Sequence, residues 1–370
     1  MTPSHAVPAR GLASLLPLLA LAAAATVHAA EPPVLLKQAA RQVPAPPWAA
    51  GDQKGMGNTQ GPGTWARCAW HLGQRGAQVY ELSWERSNTM PQSPFSAPLV
   101  SKPKPAAGIP GTLHAFNGET YTEGAEPGQQ GTQIDALGHF GLLKNPWDGK
   151  PPFPVGDIVY YGGKPASEVK PTNESPLLKL GIEQIPPIVT SAVLLDARRH
   201  VGGGQPLKAG DVITARHIDE MLKAQGLGQR GLQPGDVLYI YTGWSEQYQD
   251  PDVAKTYYAS GPGLSYDAAH RIGAARVVAV GLDVPFVDAV ADGMLAGKAG
   301  PAPGAPQGLP FSVHHHLLTQ VGVHQIENAR LHELARDRVY ASCTMVLPTR
   351  EKGAAGAAVR PIAIGVPRSR

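Results

Sequence analysis

Three short runs in the second half of the chain are apolar at nearly every position: Ala192–Ala197 (AVLLDA), Val237–Gly243 (VLYIYTG) and Arg276–Asp283 (RVVAVGLD). Each is bounded by turn residues, which predicts strands buried on both faces. An earlier run, Gly76–Trp84 (GAQVYELSW), alternates apolar and polar residues as a half-buried strand does. Between the first two apolar runs the period changes. Ile218, Met221 and Leu222 fall on one face of a helix that Thr214 can cap and Gly226 can end. A second helix is predicted from Ser265 through Asp267–Ile272 to Gly273. Strands alternating with helices predict an α/β or α+β domain.

The remaining segments lack such periods. Glu31–Gly63 is rich in Pro, Gly and Gln and reads as an extended lead-in over the surface, with ordered structure beginning near Thr64. The proline-rich stretch Asn88–Ala107 reads as a long loop, the kind that often carries binding residues. Ala289–Pro310 reads as a surface loop inserted within the domain. Neither an internal repeat nor a Gly/Ser-rich linker divides the chain, so residues 64–370 are expected to form one compact domain.

Composition narrows the class. Gly at 43 and Pro at 37 imply many turns and short elements and exclude a helical bundle. A net charge of +3 gives no polyelectrolyte character, so neither nucleic acid nor a membrane surface is an expected partner. The N-terminus reads as a secretory signal. Arg10 precedes an apolar run from Gly11 to Ala25, and Val27 and Ala29 suit a signal peptidase site, with cleavage after Ala29. The alternative is a membrane anchor, but the run is short and no stop-transfer charges follow. A periplasmic or secreted protein is therefore expected. Such a compartment permits a bridge between Cys68 and Cys343, yet two distant cysteines make no framework, and two buried free thiols are the preferred expectation.

Two segments carry candidate chemistry. In Gly128–Phe140 (GQQGTQIDALGHF), Gln133 and Asp135 are two apart and share a face on an extended backbone. His139 follows after Gly138, which allows a bend. A carbonyl oxygen, a carboxylate and an imidazole can thus converge as ligands for a hard or borderline cation. Turn-forming and structural roles are the alternative for these residues. In Val313–Asn328 (VHHHLLTQVGVHQIEN), His314–Gln320 can form a short helix ended by Gly322, and Val323–Glu327 a strand. Glu327, beside apolar Ile326, is a carboxylate that would need a cation or strong donors if buried. A solvated histidine run with a surface Glu327 is the other reading.

In these blocks the chain resembles the cyclase family that includes bacterial kynurenine formamidases and isatin hydrolase. That family carries a His-x-Gly-Thr-His-x-Asp-x-x-x-His run, matched here by Gln129, Gly131, Thr132, Gln133, Asp135 and His139. Further matching blocks are Leu194–Gly204, the helix beginning VITARHIDEML, Pro234–Trp244, Gly263–Ala269 and His314 to Glu327-Asn328, in order from roughly Thr64 to Ile364. The resemblance implies a swivelling β/β/α fold, an α/β (α+β) architecture with a small barrel-like mixed sheet flanked by helices. It implies metal ligation by Gln133, Asp135, His314 and Glu327, with His139 as the catalytic acid/base. His315 is an alternative register for His314. Glutamine stands at both motif histidine positions. A glutamine oxygen is a weaker donor that suits harder ions, so a divalent metal ion, zinc or manganese with magnesium also open, is implied alongside an empty site. The implied reaction is hydrolysis of an amide-type C–N bond in a small aromatic molecule, as in N-formylkynurenine or a cyclic amide. A binding protein that kept the fold, and a metal-dependent lyase or dehydratase, are the alternatives. The implied partners are that aromatic amide and further copies of the chain, in a dimer or tetramer. Trp65, Trp84, Phe95 and Tyr160 are the candidates for binding the ring, with core packing the alternative for each. No G-x-S-x-G elbow occurs, which disfavours a seryl hydrolase.

Overall fold

A computed structural model of the chain describes Met1 and residues 30–122 and 127–368. The expected signal segment, apart from Met1, lies outside the described residues. Nine strands form one mixed sheet: β1 (Gln78–Glu81), β2 (Gln133–Asp135), β3 (Ile188–Asp196), β4 (Val237–Tyr241), β5 (Ala279–Leu282), β6 (His324–Glu327), β7 (Ala341–Val346), β8 (Gly356–Ala358) and β9 (Ile362–Gly365). Their spatial order is β1-β9-β7-β3-β4-β5-β6-β2-β8. β3 to β6 run parallel, and the pairings at both ends are antiparallel. The sheet curls into a half-barrel flanked by helices.

The central strands lie where the apolar runs place them. All of β4 and β5 is buried, as parallel strands covered on both faces must be. β3 starts earlier than the apolar run, at Ile188. Helix α3 (Ala215–Ala224) buries Ile218, Met221 and Leu222, and the Thr214 hydroxyl accepts the His217 N–H at 3.3 Å. Helix α4 (Tyr266–Ala275) is capped by Ser265 but runs past Gly273. That glycine is a packing residue rather than a terminator, since a Cβ there would sit 3.2 Å from both His316 Nε2 and a Val321 methyl.

The lead-in differs from expectation. It contains α1 (Pro33–Ala40), and α2 begins at Pro62 and runs to Leu72. Each helix has a proline in its first turn, where the missing N–H costs nothing. Helix α2 packs over β3 and β7. This brings Cys68 against Cys343, and the two form a disulfide instead of the expected free thiols. Glu31 is buried as well. It receives two hydrogen bonds from Arg230 at 2.6 and 2.7 Å, and Arg230 also donates to Asp236 at 2.6 and 3.1 Å. Asp236 in turn accepts from Arg67 of α2 at 3.4 Å and from Ser191 of β3 at 2.6 Å. The start of the described chain is thereby tied into the sheet by paired charges.

Within the expected loop Asn88–Ala107, Val100–Pro103 forms a strand that pairs with Glu119–Thr122 in an exposed arm. Ala289–Pro310 is irregular apart from an antiparallel bridge between Val290 and Gly261 and one turn of 3-10 helix at Met294–Ala296.

Candidate active site

The site is assembled from β2 outward. β2 is fully buried, and its two-residue repeat turns Gln133 and Asp135 to one face. β6 runs antiparallel beside it with Ile326 opposite Ile134 and Glu327 opposite Gln133. Residues directly opposite share a face, so Glu327 joins the other two. Gln133 Nε2 donates to Glu327 Oε2 at 3.0 Å.

Asn328 locks the motif loop to β6. It has a φ of 55°, a left-handed conformation asparagine tolerates. Its Nδ2 donates to the Gly131 carbonyl at 2.8 Å, and its own carbonyl accepts from Thr132 Oγ1 at 2.8 Å. The turn after β2 is closed by His139 N–H donating to the Ala136 carbonyl at 3.0 Å. Gly138 serves close approach rather than an unusual bend, since a Cβ there would meet Leu177 Cδ1 at 2.7 Å and the Leu180 carbonyl at 3.0 Å.

His314 ends a helical turn, Ser312–His314, that continues as a π-helix over His315–Val321. Asp288 fixes its orientation. The carboxylate accepts the Val313 N–H at 2.8 Å, the His314 N–H at 3.1 Å and His314 Nδ1–H at 2.6 Å. This leaves Nε2 pointing inward, 3.3 Å from Glu327 Oε1 and 3.7 Å from Asp135 Oδ2. His315 points elsewhere and pairs with Gln320 Nε2 at 3.0 Å, the five-residue spacing that a π-helix brings together.

The structure thus brings Gln133, Asp135, His139, His314 and Glu327 to one place. Ligand atoms of Asp135, His139 and His314 all lie within 4.8 Å of one another. Asp135 is wholly buried, Gln133, His314 and Glu327 nearly so, and His139 half-buried. Burial works against a charged His314, but Asp288 and Glu327 reverse the effect and raise its pKa to about 10. Burial and then the Asp135 charge push Glu327 up to about 7, against the pull of His314.

The residues fit a cation. Gln133 Oε1 and Asp135 Oδ2 are buried acceptors without a hydrogen-bond partner among the described residues. A buried oxygen left this way is costly, and a metal ion at that point would satisfy both. The other atoms of the glutamines are engaged. Gln129 Nε2 donates to Asp135 Oδ1 at 3.2 Å, and Gln133 Nε2 also donates to Gln129 Oε1.

A cavity of about 280 Å³ opens on this cluster. Phe95, Phe140, Phe286, Phe311 and Tyr258 form its apolar wall, with Gln133, His139, His314 and Glu327 at its polar end. Of the four aromatic residues expected there, only Phe95 lines it. The other three lie elsewhere. Trp65 is 51% exposed on α2 and borders a different cavity near Pro186. Trp84 stacks on Tyr248 with centroids 4.5 Å apart, and Tyr160 packs in a small core cluster with Leu137 and Leu180. Those expectations rested on the residues' preceding or following the motif loops, and each ring instead packs or lies against the partners just given. Asp288, Tyr258, Phe286 and Phe311 were not anticipated. For Asp288 a signal existed: it is a carboxylate in an apolar run just past β5.

A family model described as "Putative cyclase" matches residues 80–289. The chain belongs to the cyclase family. A crystal structure described as a novel cyclase superimposes with a TM-score of 0.67 at 25% identity, covering 85% of this chain and 97% of that one. Isatin hydrolase A from Ralstonia solanacearum gives 0.51 at 16%, covering 80% and 95%. The Labrenzia aggregata isatin hydrolase A, bound to benzyl benzoate, gives 0.52 at 14%, covering 80% and 97%. Likeness to the isatin hydrolases at these identities is one of fold. Among curated proteins none matches.

Proposed function

We propose that this cyclase-family chain is a metal-dependent hydrolase of a C–N amide bond in a small aromatic molecule, an N-formyl arylamine such as N-formylkynurenine or a cyclic amide. The observation that carries the reading is the pair of buried oxygens without a hydrogen-bond partner among the described residues, Gln133 Oε1 and Asp135 Oδ2, with His314 Nε2 3.7 Å from the latter, under an aromatic cavity. Gln133, Asp135, His314 and Glu327 would hold a divalent ion. Three oxygen donors to one imidazole favour manganese or magnesium over zinc. When bound, such an ion supplies a lowered water pKa and polarisation of the substrate carbonyl.

The protein groups do the rest. The phenylalanine side chains hold the substrate ring and exclude water. His139 removes a proton from the attacking water and returns it to the departing nitrogen, roles that suit an imidazole near neutral pH. Asp288 accepts the His314 Nδ1 proton and so leaves Nε2 as the nitrogen that would hold such an ion. Water adds across the C–N bond, giving formate and the free amine, or a ring-opened acid.

A second reading has its own support. The amide hydrogens of Gln129 and Gln133 already reach Asp135 and Glu327, so the carboxylates are partly satisfied without metal. A binding protein of this fold could persist in that state. Elemental analysis of the purified protein, with formamide hydrolysis before and after chelation, separates the two. Bound divalent ion and chelator-sensitive hydrolysis support the hydrolase. A metal-free protein inactive with every added divalent ion overturns it.

Export to the periplasm or beyond is part of the same proposal, supported by the Cys68–Cys343 bridge. So is a homo-oligomer, supported by the exposed Ile109, Leu113, Phe116 and Tyr121 on the 100–122 arm. N-terminal sequencing of the exported protein and light scattering test these two points.

A further inference from the structure

The family pattern leaves the position after its first histidine open, and Gln130 fills it. Its neighbour Gln129 reaches Asp135 in the ion cluster. Gln130 reaches a different segment. It is 1% exposed, and its amide closes a turn in the proline-rich stretch that passes over the cavity. Oε1 accepts the Ser93 N–H at 3.4 Å, and Nε2 donates to the Ala97 carbonyl at 3.1 Å. The side-chain amide thus does what a neighbouring strand would do. It satisfies one backbone donor and one backbone acceptor in a segment that lies outside any sheet.

Phe95 stands inside that turn. Ser93 Oγ accepts the Phe95 N–H at 3.2 Å, and the Ser93 carbonyl accepts the Ser96 N–H at 3.2 Å. The Phe95 ring is 56% exposed, yet it lines the cavity and meets Phe286 edge-on with centroids 6.2 Å apart. A ring with that much of its surface in solvent has little packing of its own, so the backbone beneath it sets where it sits. The base of the segment is fixed separately. Asn88 exchanges two hydrogen bonds with the Ser101 backbone at 2.6 and 2.9 Å, and Thr89 Oγ1 donates to Asp250 at 2.6 Å. Residues 88–101 therefore form a surface loop with joined ends, and Gln130 is the clip at its far side. Ser93 also lines a neighbouring space of about 850 Å³, so the clipped turn is part of the wall between that space and the aromatic cavity.

We infer that Gln130 is a positioning residue for the substrate ring. Through Ser93 and Ala97 it holds the Phe95 turn toward Phe286. Two consecutive residues, Gln129 and Gln130, then join the ion cluster to the aromatic wall. Without the clip the turn can move outward, the cavity opens into the larger space, and a bound ring loses an edge contact and its shelter from water. The inference rests on the aromatic-substrate reading, but binding and hydrogen exchange test it without turnover.

Aniline, an aromatic amine that the proposed reaction does not consume, is titrated into the protein by ligand-detected NMR. Gln130→Met keeps the length of the side chain and removes both hydrogen bonds. It is expected to weaken aniline binding about three- to tenfold, the size of one aromatic contact. Phe95→Ala is expected to cost the same, and the double variant no more than either alone, because both changes remove one wall. A residue that only stabilised the fold would not couple to Phe95 in this way. Ion content of Gln130→Met is expected to match wild type, and with formanilide as substrate the loss should appear in KM rather than kcat. Thermal melts check folding, and Gln130→Asn, whose amide is one carbon too short to span the turn, repeats the cycle. Hydrogen exchange of the wild type needs no variant: the Ser93 amide is expected to be protected. Exchange of Ser93 at the open-chain rate, additive losses in the cycle, or no binding of aniline to the wild type overturns the inference. If formanilide is hydrolysed but the losses are additive, the hydrolase reading stands and the role of Gln130 falls. If no formyl arylamine is hydrolysed but aniline binds with coupled losses, the role of Gln130 stands and the hydrolase reading falls.

Discussion

Asp288 and His314 are joined by a 2.6 Å hydrogen bond that sets which nitrogen of the imidazole faces Asp135 and Glu327. The same carboxylate also takes the backbone N–H groups of Val313 and His314, so it holds the helical turn and the ring together. Asn at this position keeps the shape but can present an amide hydrogen to Nδ1, which would favour the tautomer with its proton on Nε2. Asp288→Asn is therefore expected to weaken divalent-ion binding about 10- to 100-fold, with the fold intact. Metal titration by calorimetry checks this, and an unchanged dissociation constant removes Asp288 from the site.

His139 lies among the potential ligand atoms, yet its expected role is proton transfer. The two roles separate in one variant. His139→Ala is expected to lower kcat about 10²- to 10⁴-fold, the usual size of a lost general acid/base. Metal content of the variant should equal that of the wild type. If the ion is lost together with activity, His139 is a ligand and the acid/base must be sought elsewhere.

The glutamine at position 133 offers a third test. Its Oε1 is a buried acceptor with no hydrogen-bond partner among the described residues. Gln133→His replaces that oxygen donor with imidazole, which softer borderline ions prefer. The variant is expected to shift selectivity toward zinc relative to manganese, read from competitive metal loading. No change in the zinc-to-manganese ratio would show that position 133 does not touch the ion.

How much of this was legible in the sequence depends on distance along the chain. Helix α3 was readable because its cap, apolar face and terminator all lie between Thr214 and Gly226. β4 and β5 were readable because burial on both faces leaves a continuous apolar run. Gln133 and Asp135 share a face by the strand repeat alone. Their meeting with Glu327 rests on a pairing across 194 residues, which only the family resemblance anticipated. Helices α1 and α2 were hidden by the prolines and glycines around them, because those residues punctuate helices as well as exclude them. The helix over His314–Gln320 and its end at Gly322 were readable, but its π form was not, because five-residue contacts such as His315 with Gln320 match neither the helix nor the strand period. Trp84 and Tyr160 show the limit of neighbourhood arguments: a side chain that precedes or follows a motif in sequence can still pack away from it.

The ion network at Glu31 makes a prediction that is independent of the site. Burial alone would raise the Glu31 pKa, but the Arg230 charge and its hydrogen bonds hold it well below the ordinary value. A carboxylate whose folded pKa is depressed contributes stability above its unfolded pKa, about 4.3, and loses that contribution as the pH falls through the folded value. Removing one member of a buried pair also strands the other. Glu31→Gln leaves Arg230 with Asp236 as its one buried carboxylate partner, so the cost at pH 7 is expected to be about 3–5 kcal/mol. Because the variant no longer titrates at this position, its loss relative to wild type should shrink in acid. Urea unfolding at pH 7 and at pH 3 measures both quantities. A variant as stable as wild type at pH 7 would show that the buried charges are no more than neutral, and that the first residues of the described chain are held by the packing of α1 on α2 instead.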